Sequence, residues 1–179
     1  MNKEKNIDVI ENQECPICSK PSATYSEYEI EDPYAKTIYI LSVKCNSCGY
    51  KKSDLEFENP GSPAEYTIKI ESIEDLNVRI IKSADCEISI PKLGLEIDST
   101  FNGEHFVSNI EGVIERFIKY ITFARDNEEE KSAKKRAKNL LKKLNKVKHG
   151  DESITIKLKD NSGNSAIISN KVAVKKLRK

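Results

Sequence analysis

Cys15, Cys18, Cys45 and Cys48 stand as two C-x2-C knuckles separated by 26 residues. Two such knuckles put four thiolates at the corners of a tetrahedron, which is the geometry Zn²⁺ prefers. Four protein ligands leave no position for water or substrate, so one structural Zn²⁺ is expected rather than a catalytic one. Pro16 stiffens the first knuckle, and Gly49 supplies the permissive backbone that the turn after Cys48 needs. Two uses compete for the same residues: a pair of disulfides, disfavoured in a reducing compartment, and a rubredoxin-like iron centre with the same ligand geometry. Because such a metal binds only the folded form, its apparent contribution to folding is on the order of 10 kcal/mol. The fifth cysteine, Cys86, alternates with Ile88 and Ile90 between polar residues, and reads as a small core residue of a strand.

The remaining chemistry-bearing residues form no second pattern. His105 and His149 are far apart, with no HExxH motif, and read as surface residues. The seven glycines form neither a GxGxxG fingerprint nor a Walker A loop, so no nucleotide cradle is expected. Neither enzymatic activity nor a small-molecule substrate is anticipated.

The elements that must position the cysteines follow from local pattern. Thr24 to Ile30 and Thr37 to Val43 are rich in Tyr, Ile, Thr and Val, with Glu31-Asp32-Pro33-Tyr34 between them as a turn. With Lys51 to Glu58 as a further strand, residues 1–58 predict a zinc ribbon. Asn59-Pro60-Gly61-Ser62-Pro63 breaks the pattern and predicts a linker at 59–63. Short alternating segments follow at Tyr66 to Ile70, Val78 to Lys82, Cys86 to Ile90 and Leu95 to Asp98, as an antiparallel sheet requires. From Ser108 the period changes. Ser108-Asn109-Ile110-Glu111 has capping-box spacing, and Ile110, Val113, Ile114, Phe117, Ile118 and Ile121 recur at helical intervals. A second stripe, Ala133, Ala137, Leu140, Leu141, Leu144 and Val147, ends at Gly150, a C-cap signal. A helical hairpin at about 108–149 is the expectation, returning to strands at Ser153 to Lys159 and Ala166 to Ser169. The predicted fold is mainly β with α: an N-terminal zinc ribbon, then an antiparallel β-sandwich or β-helix-like domain over 64–170 carrying the hairpin. Residues 171–179 read as a solvated basic tail.

Composition bounds the rest. In 179 residues, 37% are hydrophobic and 33% charged, enough for a core in a charge-studded globular protein. No apolar run approaches the ~18 to 20 residues of a membrane span, and Lys3, Glu4, Lys5 and Asp8 stand where a secretory signal would be apolar. A cytoplasmic location with no membrane partner is therefore expected. A net charge of +1 hides an asymmetry: 14 basic and 26 acidic residues precede Lys131, against 16 and 3 from there on. Nine bases without an acid between Lys131 and Lys148 could neutralise phosphates, so a nucleic-acid partner is the alternative reading, although no aromatic residue interleaves them.

Cys15-Pro16-Ile17-Cys18, Cys45-Asn46-Ser47-Cys48-Gly49-Tyr50-Lys51, Ile81-Lys82-Ser83, Ile90-Pro91-Lys92-Leu93-Gly94-Leu95-Glu96-Ile97, Ile110-Glu111-Gly112 and Asp160 to Ser165 follow one another in an order that resembles the ZPR-type zinc-finger proteins. The resemblance runs from about Cys15 to Ile168. Eukaryotic members have two copies of the finger and archaeal members one, as here. Two departures are local: Ser19-Lys20-Pro21 where a glycine commonly follows the first knuckle, and Asp160-Asn161 where an Asp-Pro turn is usual. The resemblance implies binding to translation elongation factor 1-alpha and assistance to its folding, acting as a dedicated chaperone or cofactor. On that reading the finger and hairpin contact the partner, and Tyr50, Lys51, Lys135, Arg136 and Lys143 are the candidate contact residues.

Overall fold

The computed structural model describes residues 4–32, 36–58, 61–98 and 105–177. Its chain divides into two compact units, Met1–Gly61 and Ser62–Lys179. The first unit is one antiparallel sheet of four strands in sequential order, β1 (Glu4–Glu14), β2 (Pro21–Asp32), β3 (Lys36–Cys45) and β4 (Lys51–Phe57). The first knuckle joins β1 to β2 and the second joins β3 to β4. The β2–β3 hairpin runs in unbroken register from Ala23 opposite Cys45 to Asp32 opposite Lys36. Of the turn expected there, Pro33 and Tyr34 lie outside the described residues, as do Asn59 and Pro60 of the linker. Strand β1 is an addition to the sequence reading. Its residues are mostly polar, and its pairing with β2 shifts register between Asn6 and Asp8 and again between Ile10 and Gln13, which erases the two-residue alternation.

Among the described residues of the second unit every strand pair is antiparallel, which selects the sandwich-like alternative over a β-helix. One sheet has five strands in the order β12-β5-β10-β7-β8 and the other three in the order β11-β6-β9. The strands are β5 (Ala64–Ile70), β6 (Arg79–Lys82), β7 (Cys86–Ile90), β8 (Leu95–Ile97), β9 (Phe106–Asn109), β10 (Ile154–Asp160), β11 (Ala166–Ile168) and β12 (Ala173–Lys176). Ile68, Ile70, Ile88, Ile90, Ile156 and Leu158 alternate along their strands into a common core. Helices α1 (Ile110–Asn127) and α2 (Lys131–Lys148) add Val113, Ile114, Phe117, Leu144 and Val147 to it. The buried residues of α2 begin only at Leu141, so the half of this helix nearest the hairpin turn is its more exposed half.

The start of α1 differs from expectation by one residue. Ser108 belongs to β9, opposite Ile80, and Asn109 is the cap, its Oδ1 accepting the Gly112 N–H at 2.8 Å. Gly112 is a glycine for a steric reason: a Cβ there would overlap Ser108 Oγ. Two segments of the family pattern meet in a buried network, where Asp160 Oδ1 accepts the Ser83 hydroxyl at 3.2 Å and the Ser162 N–H at 2.8 Å, and Ser83 N–H donates to Ser165 Oγ at 2.9 Å. These bonds tie the turn after β6 to the turn after β10.

Within the segment expected as a basic tail, Ala173–Lys176 pair with Thr67 to Ala64 of β5, while Leu177 N–H donates to Pro63 C=O at 2.9 Å. All four β12 side chains, Val174 included, are exposed, so this edge strand buries no face and leaves no alternation in the sequence to tell it from solvated coil. Arg178 and Lys179 lie outside the described residues. Among the described residues, no helix is long and apolar enough to cross a membrane.

Candidate metal centre

The two knuckles repeat one backbone design. Cys15 N–H donates to Lys20 C=O at 3.0 Å and Ser19 N–H to Cys15 C=O at 2.8 Å; in the second, Cys45 N–H donates to Tyr50 C=O at 2.8 Å and Gly49 N–H to Cys45 C=O at 3.1 Å. Each loop turns back through a left-handed residue at the same place, Ser19 at φ 54° and Gly49 at φ 75°. This brings the four Sγ atoms within 4.8 Å of one another. Cys15 and Cys48 Sγ are 3.7 Å apart, and Cys18 and Cys45 Sγ 3.8 Å. Tetrahedral zinc with Zn–S bonds of about 2.3 Å requires sulfurs about 3.8 Å apart, so the residues fit that ion. A disulfide needs sulfurs at about 2.05 Å, and all four cysteines are free thiols.

The electrostatics ask for a cation. Cys45 is drawn down to about 6, first by the Ser22 hydroxyl 3.3 Å from its sulfur and next by the Cys48 N–H. Cys48 accepts the Tyr50 N–H, which lowers it, yet burial and the neighbouring thiols of Cys45, Cys18 and Cys15 push it up to about 12. Four thiolates cannot share this space unaided; a divalent cation removes the penalty and deprotonates the set outright. Ile17 N–H reaches Cys15 Sγ at 3.4 Å and Cys48 N–H reaches Cys45 Sγ at 3.5 Å, which orients the ligands. Ala23, with Val43 and Tyr50 half-buried beside it, packs the apolar side. All four positions are protein ligands, so the chemistry on offer is structural: one Zn²⁺ clamps β1–β2 to β3–β4. Cys86 takes no part. It is fully buried in β7, and burial pushes its thiol up to about 12.

The candidate contact residues fall in two places. Tyr50 and Lys51 are beside the centre, but Tyr50 is half-buried against the cysteines and its backbone closes the second knuckle, so it has a structural task there. Lys51 opens β4 and is exposed. Lys135, Arg136 and Lys143 are exposed on α2, with Arg136 Nη1 donating to Ser132 Oγ at 3.3 Å. What the sequence reading left unassembled is a row: Lys131, Lys135, Lys138, Lys142 and Lys146 follow helical spacing along the outward face of α2, and all are exposed. Lys148, the last base of the run, is turned inward to Glu115 and to Glu111, the latter at 3.5 Å. His149 caps α2, its Nδ1 2.7 Å from Asn145 C=O.

Comparison with known proteins follows the same division. The model for the ZPR1 zinc-finger domain matches residues 8–60, and that for the ZPR1 jelly-roll domain matches residues 74–178. A ZPR1-like protein of Pyrococcus horikoshii is 35% identical over 99% of this chain and 81% of its own length, and one of Methanocaldococcus jannaschii is 34% identical over 90% and 82%. The zinc finger chaperone zpr1 of Schizosaccharomyces pombe is 26% identical over 93% of this chain, which spans only 38% of that longer protein. A four-cysteine ribbon followed by an antiparallel β domain with a helical hairpin, matched unit by unit, places the chain in the ZPR1 family.

Proposed function

We propose that this protein binds translation elongation factor 1-alpha in the cytoplasm and assists its folding as a zinc-dependent chaperone or cofactor, without catalysing a reaction. The observation that carries the reading is the closed tetrathiolate centre in a ribbon whose family includes a fission-yeast protein named a chaperone. A closed zinc site supplies rigidity, which serves recognition rather than turnover. The helical hairpin supports the same reading, because α2 has no buried residue before Leu141 and so offers an exposed face to a partner. In this scheme Lys51, Lys135, Arg136 and Lys143 contact the factor directly, while Tyr50 holds the knuckle that presents Lys51. The test is binding of the zinc-loaded chain to the elongation factor from the same source, native and refolding. Binding that disappears in a Cys45→Ser, Cys48→Ser variant is the expected result; no binding in either state refutes the proposal.

The lysine row of α2 favours a second reading, a nucleic-acid interface. Five phosphates neutralised on a single strand would weaken binding about 100-fold between 50 and 200 mM salt. An RNA arm in the same titration separates the two: steep salt loss with RNA and no affinity for the factor selects the second.

A further inference from the structure

The sheet of the zinc unit has a face that neither the metal nor the family accounts for. Strand register sets two cross-strand rows on it: Ile10, Tyr25, Val43 and Lys52, and beside them Asp8, Glu27, Leu41 and Asp54. Together they line a groove of about 380 Å³ formed by this unit alone. Its floor is apolar, yet Ile10 is 49% and Tyr25 40% exposed, where a half-buried sheet face would normally be covered.

The rim carries the second signal. Lys52 is 3.7 Å from Asp54, so that pair is internally matched. Asp8 and Glu27 sit directly opposite each other on β1 and β2, and among the described residues no ion pair neutralises either. Like charges on facing strands oppose pairing, so this arrangement is costly to the isolated sheet and is relieved by a cation placed over both. The four thiolates around one Zn²⁺ add a formal charge of about −2 to the same unit. Val43 packs against the cysteine cluster, so the floor is braced by the metal and is ordered before any ligand arrives.

We infer that this face is a docking surface for an extended polypeptide segment that sets a large apolar side chain over Ile10, Tyr25 and Val43 and a Lys or Arg beside Asp8 and Glu27. Four strands about 4.8 Å apart make a platform about 14 Å wide, enough for one large side chain and its basic neighbours. The assignment goes beyond the reading above and holds whichever protein supplies the segment.

The test uses the zinc-loaded full chain, labelled with ¹⁵N, and two synthetic ten-residue peptides sharing a central Leu-Phe pair. One is flanked by Lys and Arg, the other by Glu. The basic peptide is expected to shift the amide signals of Ile10, Tyr25, Leu41 and Val43 and to bind at least about tenfold more tightly than the acidic one. Tyr25→Ala should weaken it about fivefold or more through loss of the floor. Glu27→Lys should weaken it as much while keeping the unit folded, because opposite charges then face each other across β1 and β2. Equal affinity for the two peptides, no shifts at about 1 mM peptide, or shifts confined to other strands or helices overturns the inference. Shifts of the same rows that depend on protein concentration alone assign the face to a second copy and also overturn it.

Discussion

Ser19 and Gly49 occupy equivalent places in the two knuckles, the residue after each second cysteine, and both are left-handed, at φ 54° and 75°. An L-residue held there costs about 1–2 kcal/mol, whereas glycine costs nothing sterically but loses about 0.5–1 kcal/mol more entropy on folding than alanine does. The difference leaves Ser19→Gly stabilising by about 0.5–1 kcal/mol and Gly49→Ala destabilising by a similar amount. Packing does not confuse the comparison: a Cβ at Gly49 meets nothing within 4 Å, and Ser19 is exposed. Folding of the ribbon and binding of zinc are one equilibrium, so the change reads out as metal affinity. Competition with a chromophoric chelator should show Ser19→Gly binding Zn²⁺ about two- to fivefold more tightly and Gly49→Ala more weakly by the same factor. If Ser19→Gly leaves affinity unchanged or lowers it while Gly49→Ala is neutral, backbone handedness does not limit these knuckles.

Chelation of the metal should unfold residues 4–58 and leave the second unit intact, because the cysteine cluster and the large core share no residue; amide spectra with and without chelator would show one set of signals collapse and the other persist. Leu144→Ala, at a fully buried site of α2, should lower the stability of the second unit by about 2–5 kcal/mol in urea unfolding, whereas the exposed Lys142→Ala should change it by less than about 0.5 kcal/mol. The Lys171 ammonium 2.6 Å from Asp75, together with the Glu71 and Ser72 N–H groups, holds the Asp75 carboxyl below the usual carboxylate range. At Asp160 burial raises the pKa, but hydrogen bonds from the side chains and backbones of Ser162 and Ser165 together outweigh it and the net direction is again down. Groups depressed on folding stabilise above their unfolded pKa of about 3.9 and lose that contribution as pH falls through the lower folded value. The second unit should therefore lose stability progressively below about pH 4, and Asp75→Asn should flatten part of that slope in acid titrations followed by circular dichroism.

The metal centre was legible because ligand spacing is a local property: C-x2-C fixes two sulfurs, and the apolar residues between the knuckles supply the hairpin that brings the pairs together. The same holds for α1 and α2, whose stripes survive as buried faces through Ile114, Phe117 and Leu144. Elements at sheet edges were less legible. Strand β1 is polar and bulged, with Asn12 at φ 57°, and β12 exposes every side chain, so their strand character comes from backbone bonds offered by β2 and β5 and not from their own pattern. At Ser108 two signals overlap, since the pairing of β9 with β6 extends one residue further than capping-box spacing implies and passes the cap to Asn109. The acid-rimmed face of the ribbon was out of reach for a related reason. Ile10, Tyr25, Val43 and Lys52 come from four strands, and only register sets them in one row.

In the proposed function, the zinc-braced ribbon and the helical hairpin serve the folding of elongation factor 1-alpha. The most direct measurement is the yield of GTP-binding factor recovered from denaturant with the zinc-loaded chain, with the Cys45→Ser, Cys48→Ser variant, and with neither. Recovery that rises with the intact chain up to equimolar amounts, and falls back to the unassisted level with the variant, is the result predicted. The same yield in all three conditions would contradict the claim.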